Sequence, residues 1–369
     1  MKIMTIIGTR PEIIRLSRII SNLEKNFNHV LVHTGQNYDF ELNEIFFKDL
    51  KIKKPNYYLD SAGKTSSETI GKIIINIEPI LLKEKPDAIL ILGDTNSCLT
   101  AIVAKRNKIP IFHMEAGNRC FDMNVPEEIN RRIVDHIADI NLTYSTIARN
   151  FLVREGIHPK FIIKTGSPMK EVIDHYLPKS KKSKILNNLS IKKNKYFVVS
   201  SHREENIDNQ INFNNLTKSI NEIAKRYRLP VIFSTHPRTK KKISDSKIVL
   251  HKNIRLIKPL NFTDYLKLQM NSKAVLSDSG TINEEASLLN LRAINLRESH
   301  ERHEAMEEAS TVMTGLKFDV INNALNLFEK NKFKSKVVYD YDVSNVSDKI
   351  SKILLSYIHF INREIWKKK

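Results

Sequence analysis

The stretch MKIMTIIGTRPEIIRL, residues 1–16, decides the fold of the first half of the chain. Its apolar run Ile3–Ile7 predicts a buried strand, and Gly8 follows as a turn residue. Pro11 suits the first position of a helix, because an amide hydrogen would have no partner there. The stretch therefore predicts a strand, a tight turn and a helix, which together open a parallel α/β sheet.

The turn after this strand is unusual for a nucleotide-binding loop, because Arg10 stands where further glycines are common. The free amides at the start of a helix attract anions, and a guanidinium matches the edge of a phosphate. Arg10 is therefore a candidate ligand for a phosphorylated substrate. A capped helix with an arginine at its surface explains the same residues without any ligand.

Apolar runs alternate with helix-like periodicity outward from this stretch, with a polar pause from Thr165 to Lys195. Further strands are expected at His29–His33, Ala88–Leu92, Ile111–Met114, Ile140–Tyr144, Phe161–Ile163, Phe197–Ser200, Val231–Ser234, Ile254–Ile257, Ala274–Ser277 and Ala293–Leu296. Helices are expected at Pro11–Leu23, Phe40–Asp49, Ser67–Leu82, Glu127–Ala138, Ser145–Glu155, Phe213–Arg226, Asn261–Met270, Ile282–Leu289, Val320–Glu329 and Val346–Ile361. The alternation predicts two doubly wound α/β domains that face a common cleft.

The composition bounds the function. The chain has 369 residues and a formal net charge of +19, with 41% hydrophobic residues, as in ordinary globular proteins. A basic balance suits nucleic acid, but the lysines are dispersed and no basic motif interleaved with aromatic residues occurs. We therefore expect no nucleic-acid partner, and a small phosphorylated substrate uses the positive field equally well.

The cysteine count and the apolar runs bear on the compartment. Cys98 and Cys120 are too few for a disulfide framework, which fits a reducing cytoplasm. No run approaches the ~20 apolar residues of a membrane helix, and the chain begins on a strand-like run. We expect a cytoplasmic protein with no membrane insertion.

Acidic residues follow the strands of the first half. Asp94 comes directly after Ala88–Leu92, Glu115 follows the next strand, and Glu127 begins a helix. Ligands of open α/β sheets bind at the carboxyl ends of strands, and crowded carboxylates can provide a proton acceptor beside a donor. Helix capping explains each acid separately, but not their convergence.

Basic and hydroxyl residues follow the strands of the second half. His202 and Arg203 come after its first strand, and Ser279-Gly280-Thr281 forms a turn before a helix. Such a turn presents backbone amides to a phosphate. Glu285 lies about one helical turn inside, where a carboxylate can accept both hydroxyls of a ribose. These residues favour a nucleoside diphosphate as the ligand.

Taken in order, the segments GTRPE, GDTNS, HMEAGNR, PEEINRR, SSHREEN, THPR, SDSGTINEE and HERHE resemble the non-hydrolysing UDP-N-acetylglucosamine 2-epimerase family. The resemblance implies a GT-B-like architecture with two Rossmann-like domains and a nucleotide cleft between them. Residues 1–168 would form the first domain, with a carboxyl-terminal helix of about residues 346–369 packing back on it. Residues 169–345 would form the UDP-binding domain.

The resemblance also implies a reaction and its residues. Members of the family eliminate UDP to leave a 2-acetamidoglycal and re-add it with C2 inverted; no nicotinamide or metal cofactor is needed, and a homodimer is expected. The catalytic residues would be Asp94, Glu115, Glu127 and His202, with the histidine assisting the departure of UDP. Substrate and UDP would be bound by Arg10, Arg15, Arg131, Tyr265, Ser279, Gly280, Thr281, Glu285 and Arg302. Which carboxylate removes the C2 proton and which returns it stays open.

A finer resemblance concerns the substrate. The segments HTGQNYDFELNE, GDTNSCL, HMEAGNRCFD and THPRT are similar to the branch that converts UDP-2-acetamido-2,6-dideoxy-L-talose to UDP-N-acetyl-L-fucosamine for capsule or O-antigen polysaccharides. The mainstream family usually has lysine at the position of Arg15 and leucine at that of Asn118. His303, where proline is usual, departs from both branches.

Three alternatives stay open beside this interpretation. On the same scaffold, the substrate pair would be UDP-N-acetylglucosamine and UDP-N-acetylmannosamine. A GT-B glycosyltransferase would consume a UDP-sugar and require an acceptor. A non-enzymatic RNA-binding or polyphosphate-binding protein would show steeply salt-dependent binding and no turnover.

Overall fold

The computed structural model describes residues 1–36, 40–246, 248–330 and 336–368, with residues 40–43, 204 and 237 described by their backbone alone. Two compact units divide the chain. The first comprises Met1–Asp174 and Tyr339–Lys369, and the second comprises His175–Val338. The chain passes from the first unit to the second after Asp174, inside a helix that begins at Met169. The sequence analysis placed the boundary between the domains at residue 168.

The first unit contains a seven-stranded sheet in which all neighbouring strands are parallel. Its elements are β1 (Lys2–Ile7), α1 (Arg10–Asn26), β2 (Asn28–His33), α2 (Phe40–Asp49), β3 (Tyr57–Tyr58), α3 (Ser66–Glu84), β4 (Ala88–Leu92), α4 (Thr100–Arg106), β5 (Ile111–Met114), α5 (Pro126–Ile137), β6 (Ile140–Thr143), α6 (Thr146–Arg154), β7 (Ile162–Lys164) and α7 (Met169–Lys182). The strand order is β3-β2-β1-β4-β5-β6-β7. The order reverses between β1 and β4, and ligands of such sheets bind outside the carboxyl ends of the strands at this point.

The second unit repeats this plan with six parallel strands. Its elements are α8 (Ile185–Asn188), β8 (Phe197–Ser200), α9 (Glu204–Ile207), α10 (Gln210–Tyr227), β9 (Val231–Ser234), α11 (Pro237–Asp245), β10 (Ile254–Ile257), α12 (Phe262–Met270), β11 (Ala274–Ser277), α13 (Ile282–Leu289), β12 (Ala293–Asn295), α14 (His303–Glu307), β13 (Val312–Met313) and α15 (Phe318–Lys330). The strand order is β10-β9-β8-β11-β12-β13, so its reversal lies between β8 and β11.

The last helix, α16 (Val346–Glu364), belongs to the first unit and packs against α1. Asn22 of α1 joins the two helices, because its Oδ1 accepts from Ser351 Oγ at 2.7 Å and its Nδ2 donates to Asp348 at 2.8 Å. The carboxyl terminus therefore returns to the domain in which the chain begins.

The central strands are buried throughout, as their continuous apolar runs predict for a sheet covered on both faces. All five residues of β4 are buried, and five of the six residues of β1 are buried. No helix among the described residues is long and apolar enough to cross a membrane.

The predicted α/β class is confirmed, but the expected polar pause from Thr165 to Lys195 is wrong, because it contains α7 and α8. Met169, Val172, Ile173 and Tyr176 of α7 are buried at helical spacing among lysines that lower the average hydropathy of the stretch. The strands β3 and β13 contain two residues each, too few to show any periodicity.

Candidate active site

The turn after β1 is fixed by a buried glutamate, Glu12. Thr9 is the residue before α1, and the Glu12 carboxylate accepts from the backbone amides of Gly8 at 2.5 Å and Thr9 at 2.6 Å. This reciprocal arrangement is a capping box. It fixes the first turn of α1, where Arg10 lies half-buried at the first helical position.

Glu12 also reaches the loop that follows β4. Its second oxygen accepts hydrogen bonds from Thr95 Oγ1 at 2.7 Å and Ser97 Oγ at 2.5 Å. Burial raises the pKa of Glu12, while the bonds from Ser97, Thr95 and the two backbone amides oppose this rise. The carboxylate therefore ties together the two loops at the sheet's reversal point. Sequence reasoning missed Glu12, although the pattern Thr-x-x-Glu before an apolar helix signals a capping box.

Asp94 follows β4 and is paired with Arg131 of α5. Arg131 Nε donates to Asp94 Oδ2 at 3.0 Å, and Nη2 contacts the same oxygen. Arg131 is almost fully buried, and its Nη1 donates to Glu128 Oε2 at 2.7 Å. A buried guanidinium shared between two carboxylates holds both in place. Arg131, which the sequence analysis assigned to substrate binding, is thus paired with Asp94 and Glu128.

Glu115 follows β5 in a backbone conformation that few residues adopt. Its φ is +66°, in the left-handed region, which is costly for a side chain with a Cβ atom. The buried carboxylate forms an ion pair with Nη1 of the buried Arg15. A methyl group added at Gly93 would lie 3.7 Å from Glu115 Oε2, so this carboxylate lies beside the loop of Asp94. Such strain concentrates at functional sites.

Two neighbouring glutamates begin α5, and the structure separates them. Glu127 is half-buried in the first turn, one turn before Arg131 on the same helix. Glu128 is fully buried, accepts from Arg131, and accepts from the Cys120 amide at 3.0 Å. Glu128 therefore has a structural position that the sequence did not single out, and Glu127 stays the candidate acid of this pair.

In the second unit, Asp278 organises the loop after β8. Its buried carboxylate accepts from Ser201 Oγ at 2.7 Å, His202 N at 3.0 Å and Arg203 N at 3.1 Å, and Asn206 donates to it at 3.0 Å. Burial opposes its ionisation, yet the charge of His202 and these hydrogen bonds hold the pKa of Asp278 below its usual range. The His202 ring is partly exposed, with Nδ1 3.5 Å from Asp278. Asp278 was also missed, although it lies within the quoted segment SDSGTINEE.

The turn Ser279-Gly280-Thr281 follows Asp278 and leads into α13. Ser279 Oγ and Thr281 Oγ1 lie 2.9 Å apart, and Thr281 is the residue before the helix. A methyl group at Gly280 would lie 2.8 Å from Glu301 Oε1, so a side chain there would displace this neighbour. The turn thus places two hydroxyls and the amides of a helix start together, an arrangement suited to phosphate.

The remaining candidates of the second unit lie on and after the same helices. Glu285 is buried in α13, where its Oε2 accepts from Gln269 at 2.6 Å. Tyr265 is half-buried in α12. Arg302 is fully buried, with Nη2 3.4 Å from Glu284.

The described residues contain no group of three or more His, Cys, Asp and Glu side chains arranged to hold a metal ion. Residues 37–39, within the segment HTGQNYDFELNE, lie outside the part of the chain that the structure describes.

Comparison with known proteins gives a consistent family. The model of the UDP-N-acetylglucosamine 2-epimerase family matches residues 21–355. The UDP-N-acetylglucosamine 2-epimerase of Methanocaldococcus jannaschii is 40% identical over 324 residues, covering 85% of this chain and 88% of that protein. The UDP-2,3-diacetamido-2,3-dideoxy-D-glucuronate 2-epimerase of Pseudomonas aeruginosa is 33% identical over 327 residues, covering 87% and 90%.

Solved structures agree with this match. The UDP-N-acetylglucosamine 2-epimerase of Rickettsia bellii superposes with a TM-score of 0.92 at 48% identity, and the match covers both chains completely. The M. jannaschii enzyme in complex with UDP-N-acetylglucosamine and UDP gives a TM-score of 0.91 at 37% identity, covering 96% of this chain and all of that one. The chain belongs to the UDP-N-acetylglucosamine 2-epimerase family, and it is therefore an isomerase with the GT-B-like fold of its relatives.

Proposed function

We propose that the chain is a non-hydrolysing 2-epimerase of a UDP-2-acetamido sugar, which eliminates UDP and re-adds it with C2 inverted. One observation carries the proposal: Asp94 and Glu115 follow the adjacent strands β4 and β5, and each is paired with a buried arginine. Acids held in this way beside the sheet's reversal point suit proton transfer to and from a bound sugar.

The departure of UDP is the first demand of this reaction. The C2–H bond is weakly acidic, and loss of UDP makes C1 oxocarbenium-like, which acidifies C2. Stabilising the leaving diphosphate is therefore the larger catalytic contribution. We assign this task to Arg10 at the start of α1, to His202, and to the turn Ser279-Gly280-Thr281. Arg302 is assigned to the diphosphate, and Glu285 and Tyr265 to the ribose and uracil.

Inversion is the second demand, because the proton must leave from one face of the sugar and return to the other. Asp94 and Glu115 come from different loops, and Glu127 from a helix, so the three acids approach from separate elements. We assign proton transfer to these three acids.

For the sugar itself we propose UDP-2-acetamido-2,6-dideoxy-L-talose, with UDP-N-acetyl-L-fucosamine as the product for surface polysaccharides. The proposal is supported by the four segments whose sequences resemble the L-talose branch. One of the residues that differ from the mainstream family, Asn118, lies at the site. The Asn118 side chain is buried with Nδ2 3.5 Å from Glu115 Oε1, where the mainstream family has leucine. An amide next to the acid changes the polarity at the sugar. UDP-N-acetylglucosamine is the second candidate, favoured by the names of the similar enzymes.

We also propose that the enzyme is a homodimer. Ile75 and Leu82 of α3 are exposed on one face of the helix, seven residues apart, and they offer an apolar surface to a second copy. Sedimentation equilibrium of the wild-type chain and of Ile75→Lys tests this point. A monomeric wild type would refute it.

The function is tested by incubating the protein with each UDP-sugar separately in heavy water, without any acceptor, and following C1 and C2 by proton NMR. We expect epimerisation with deuterium entering at C2. The L-talose proposal fails if only UDP-N-acetylglucosamine is turned over. If no UDP-sugar is turned over and RNA binds with an affinity that falls steeply with salt concentration, the protein is a nucleic-acid-binding protein instead. Turnover only after an acceptor is added would favour a glycosyltransferase.

Two variants test the assigned roles. We expect Glu115→Gln to stop deuterium incorporation at C2, and Arg10→Ala to lower kcat by about 100-fold, as loss of one preorganised charge does. Glu364→Gln, at an exposed position of α16, is the matched control and should change neither. Normal exchange in Glu115→Gln would remove this acid from proton transfer.

A further inference from the structure

Asn130 of α5 lies beside Asp94, and the chemistry proposed above does not use it. Its Nδ2 donates to the backbone carbonyl of Asp94 at 2.9 Å and to Asn96 Oδ1 at 3.2 Å. A backbone carbonyl can only accept a hydrogen bond, so the contact with Asp94 fixes which end of the amide is the NH2 group. The two donor hydrogens are thereby used within the protein, and Oδ1 remains as the acceptor.

This acceptor is available to a bound molecule. Within the parts of the chain that the structure describes, no group donates a hydrogen bond to Asn130 Oδ1. Asn130 is 7% exposed, and Oδ1 is not among the fully enclosed side-chain atoms. A carbonyl oxygen that is nearly buried in a fixed orientation therefore accepts from an N–H or O–H group that approaches from the open side.

The neighbours of Asn130 are residues to which we assign the chemistry at the sugar. Glu127 lies three residues earlier in α5, so the two side chains lie on the same side of the helix. Arg131 holds the carboxylate of Asp94, while Asn130 holds its carbonyl. Glu12 fixes the same loop from α1. The amide of Asn130 is thus held rigidly beside two of the three proposed acids.

We propose that Asn130 Oδ1 accepts the hydrogen bond of the substrate's 2-acetamido N–H and so holds C2 against these acids. The acetamido nitrogen is attached to C2, the carbon that exchanges its proton, so an acceptor beside the acids meets this N–H. The orientation of the amide is fixed before the substrate arrives, which lowers the entropic cost of placing the sugar.

Asn130 is thereby a substrate-binding residue that selects UDP-sugars with an acetamido group at C2. Both candidate substrates carry this group, so the assignment holds for either of them. It rests on the proposed epimerase function, because that function places the sugar at Asp94 and Glu127.

The inference is tested by calorimetric titration of the wild-type protein with UDP-N-acetylglucosamine, UDP-2-deoxyglucose and UDP. The second ligand has no substituent at C2 but keeps the C3 hydroxyl. We expect UDP-N-acetylglucosamine to bind about tenfold more tightly than UDP-2-deoxyglucose, as one hydrogen bond in a nearly buried place contributes. Turnover during the titration leaves the acetamido group in place. Equal affinities for the two UDP-sugars would overturn the proposal, whether or not any variant folds.

Two variants separate the acceptor from the bond to the loop. Asn130→Ala removes both, whereas Asn130→Asp loses the donor to the Asp94 carbonyl but keeps an oxygen acceptor. We expect Asn130→Ala to bind the two UDP-sugars equally and Asn130→Asp to keep most of the preference for the acetamido sugar. UDP should bind both variants as it binds the wild type. Equal loss of the preference in both variants would assign it to the loop and overturn the role of Oδ1.

The matched control is Asn150→Ala at an exposed position of α6, which should keep the wild-type affinity for all three ligands. The outcomes also separate this inference from the function on which it rests. Normal epimerisation without an acetamido preference would overturn the role of Asn130 alone. A wild-type protein that binds none of the three ligands would overturn the proposed function as well.

Discussion

Two buried histidines of β2 predict that the first unit loses stability in mild acid. His29 is 7% exposed and His33 is fully buried, and burial lowers the pKa of each from 6.5 to about 4. The charge of Lys53 adds to the effect at His29. At His33 the Nδ1 lone pair accepts from the Gly35 amide at 3.0 Å, a bond that protonation of this nitrogen would break.

The sign follows from the unfolded state. Below about pH 6.5 the unfolded chain takes up protons that the folded chain refuses, so the free energy of unfolding falls as the pH falls toward about 4. Each histidine contributes at most about 1.4 kcal/mol per pH unit, and at most about 3 kcal/mol over the whole window. Together they remove at most about 6 kcal/mol, which is comparable to the stability of a whole domain.

The assay is urea unfolding followed by tryptophan fluorescence from about pH 7 to about pH 4.5. Trp366 is the single tryptophan of the chain and lies in the first unit, where Lys105 Nζ packs 5.1 Å from its ring centre. His29 Nε2 lies 2.9 Å from Thr5 Oγ1. The comparison is with His29→Gln/His33→Asn, whose amides can keep this bond and the bond to the Gly35 amide. We expect this double variant to lose most of the wild-type slope. Equal slopes for the two proteins would refute the reasoning, and the exposed His136→Gln should behave as wild type.

Four further predictions concern three loop positions and one position in helix α3. Glu12→Gln should lower the free energy of unfolding by about 2 kcal/mol in the same fluorescence assay, because charge-assisted bonds to two backbone amides are weakened. Asp278→Asn should lower the melting temperature by circular dichroism and reduce kcat by about tenfold or more, because an amide cannot accept every bond that holds the His202 loop. Gly8→Ala should destabilise by about 1–3 kcal/mol, since its Cβ would lie 2.4 Å from Thr34 Oγ1. Gly71→Ala, in α3 with open space around it, should instead stabilise by up to about 1 kcal/mol.

The sequence predicted the strands and the loops well because both depend on local patterns. Ala88–Leu92 and Ile282–Leu289 have the same bounds in the structure as in the prediction. Long apolar runs and helical spacing survive in any tertiary context, whereas α7 is a lysine-rich helix whose average hydropathy conceals its buried face. Polar residues directly after strands are equally local, so the loops of the candidate site could be found.

The partners of those residues could not be found in the same way, because they depend on long-range contacts. Arg15 pairs with Glu115 across a separation of one hundred residues, and Arg131 pairs with Asp94 and Glu128. Two adjacent glutamates point in different directions on a helix, since successive residues differ by about 100° around its axis. Sequence alone cannot say which of them faces the core.

In each unit, a buried carboxylate connects the two loops that lie at the reversal point of the sheet by accepting hydrogen bonds. In the first unit, Glu12 follows β1 and accepts hydrogen bonds from two hydroxyl groups in the loop after β4. In the second unit, Asp278 follows β11 and accepts hydrogen bonds from two backbone amides and one hydroxyl group in the loop after β8. The acid comes from opposite strands in the two cases, so no common spacing in the sequence reveals it.

This structural role of Glu12 and Asp278 explains why the motifs contain more acidic residues than the proposed epimerisation requires. A carboxylate has about four lone pairs, and backbone amides at a strand end are donors that would otherwise be buried without a partner. Glu12 and Asp278 accept from such amides, whereas Asp94 and Glu115 face guanidinium groups. A carboxylate that accepts hydrogen bonds from backbone amides stabilises the fold, because the amides would otherwise be buried without a partner. Asp94 and Glu115 are held by arginine side chains, whose contacts can rearrange when a proton arrives, and this difference supports their proposed part in proton transfer beside Glu127.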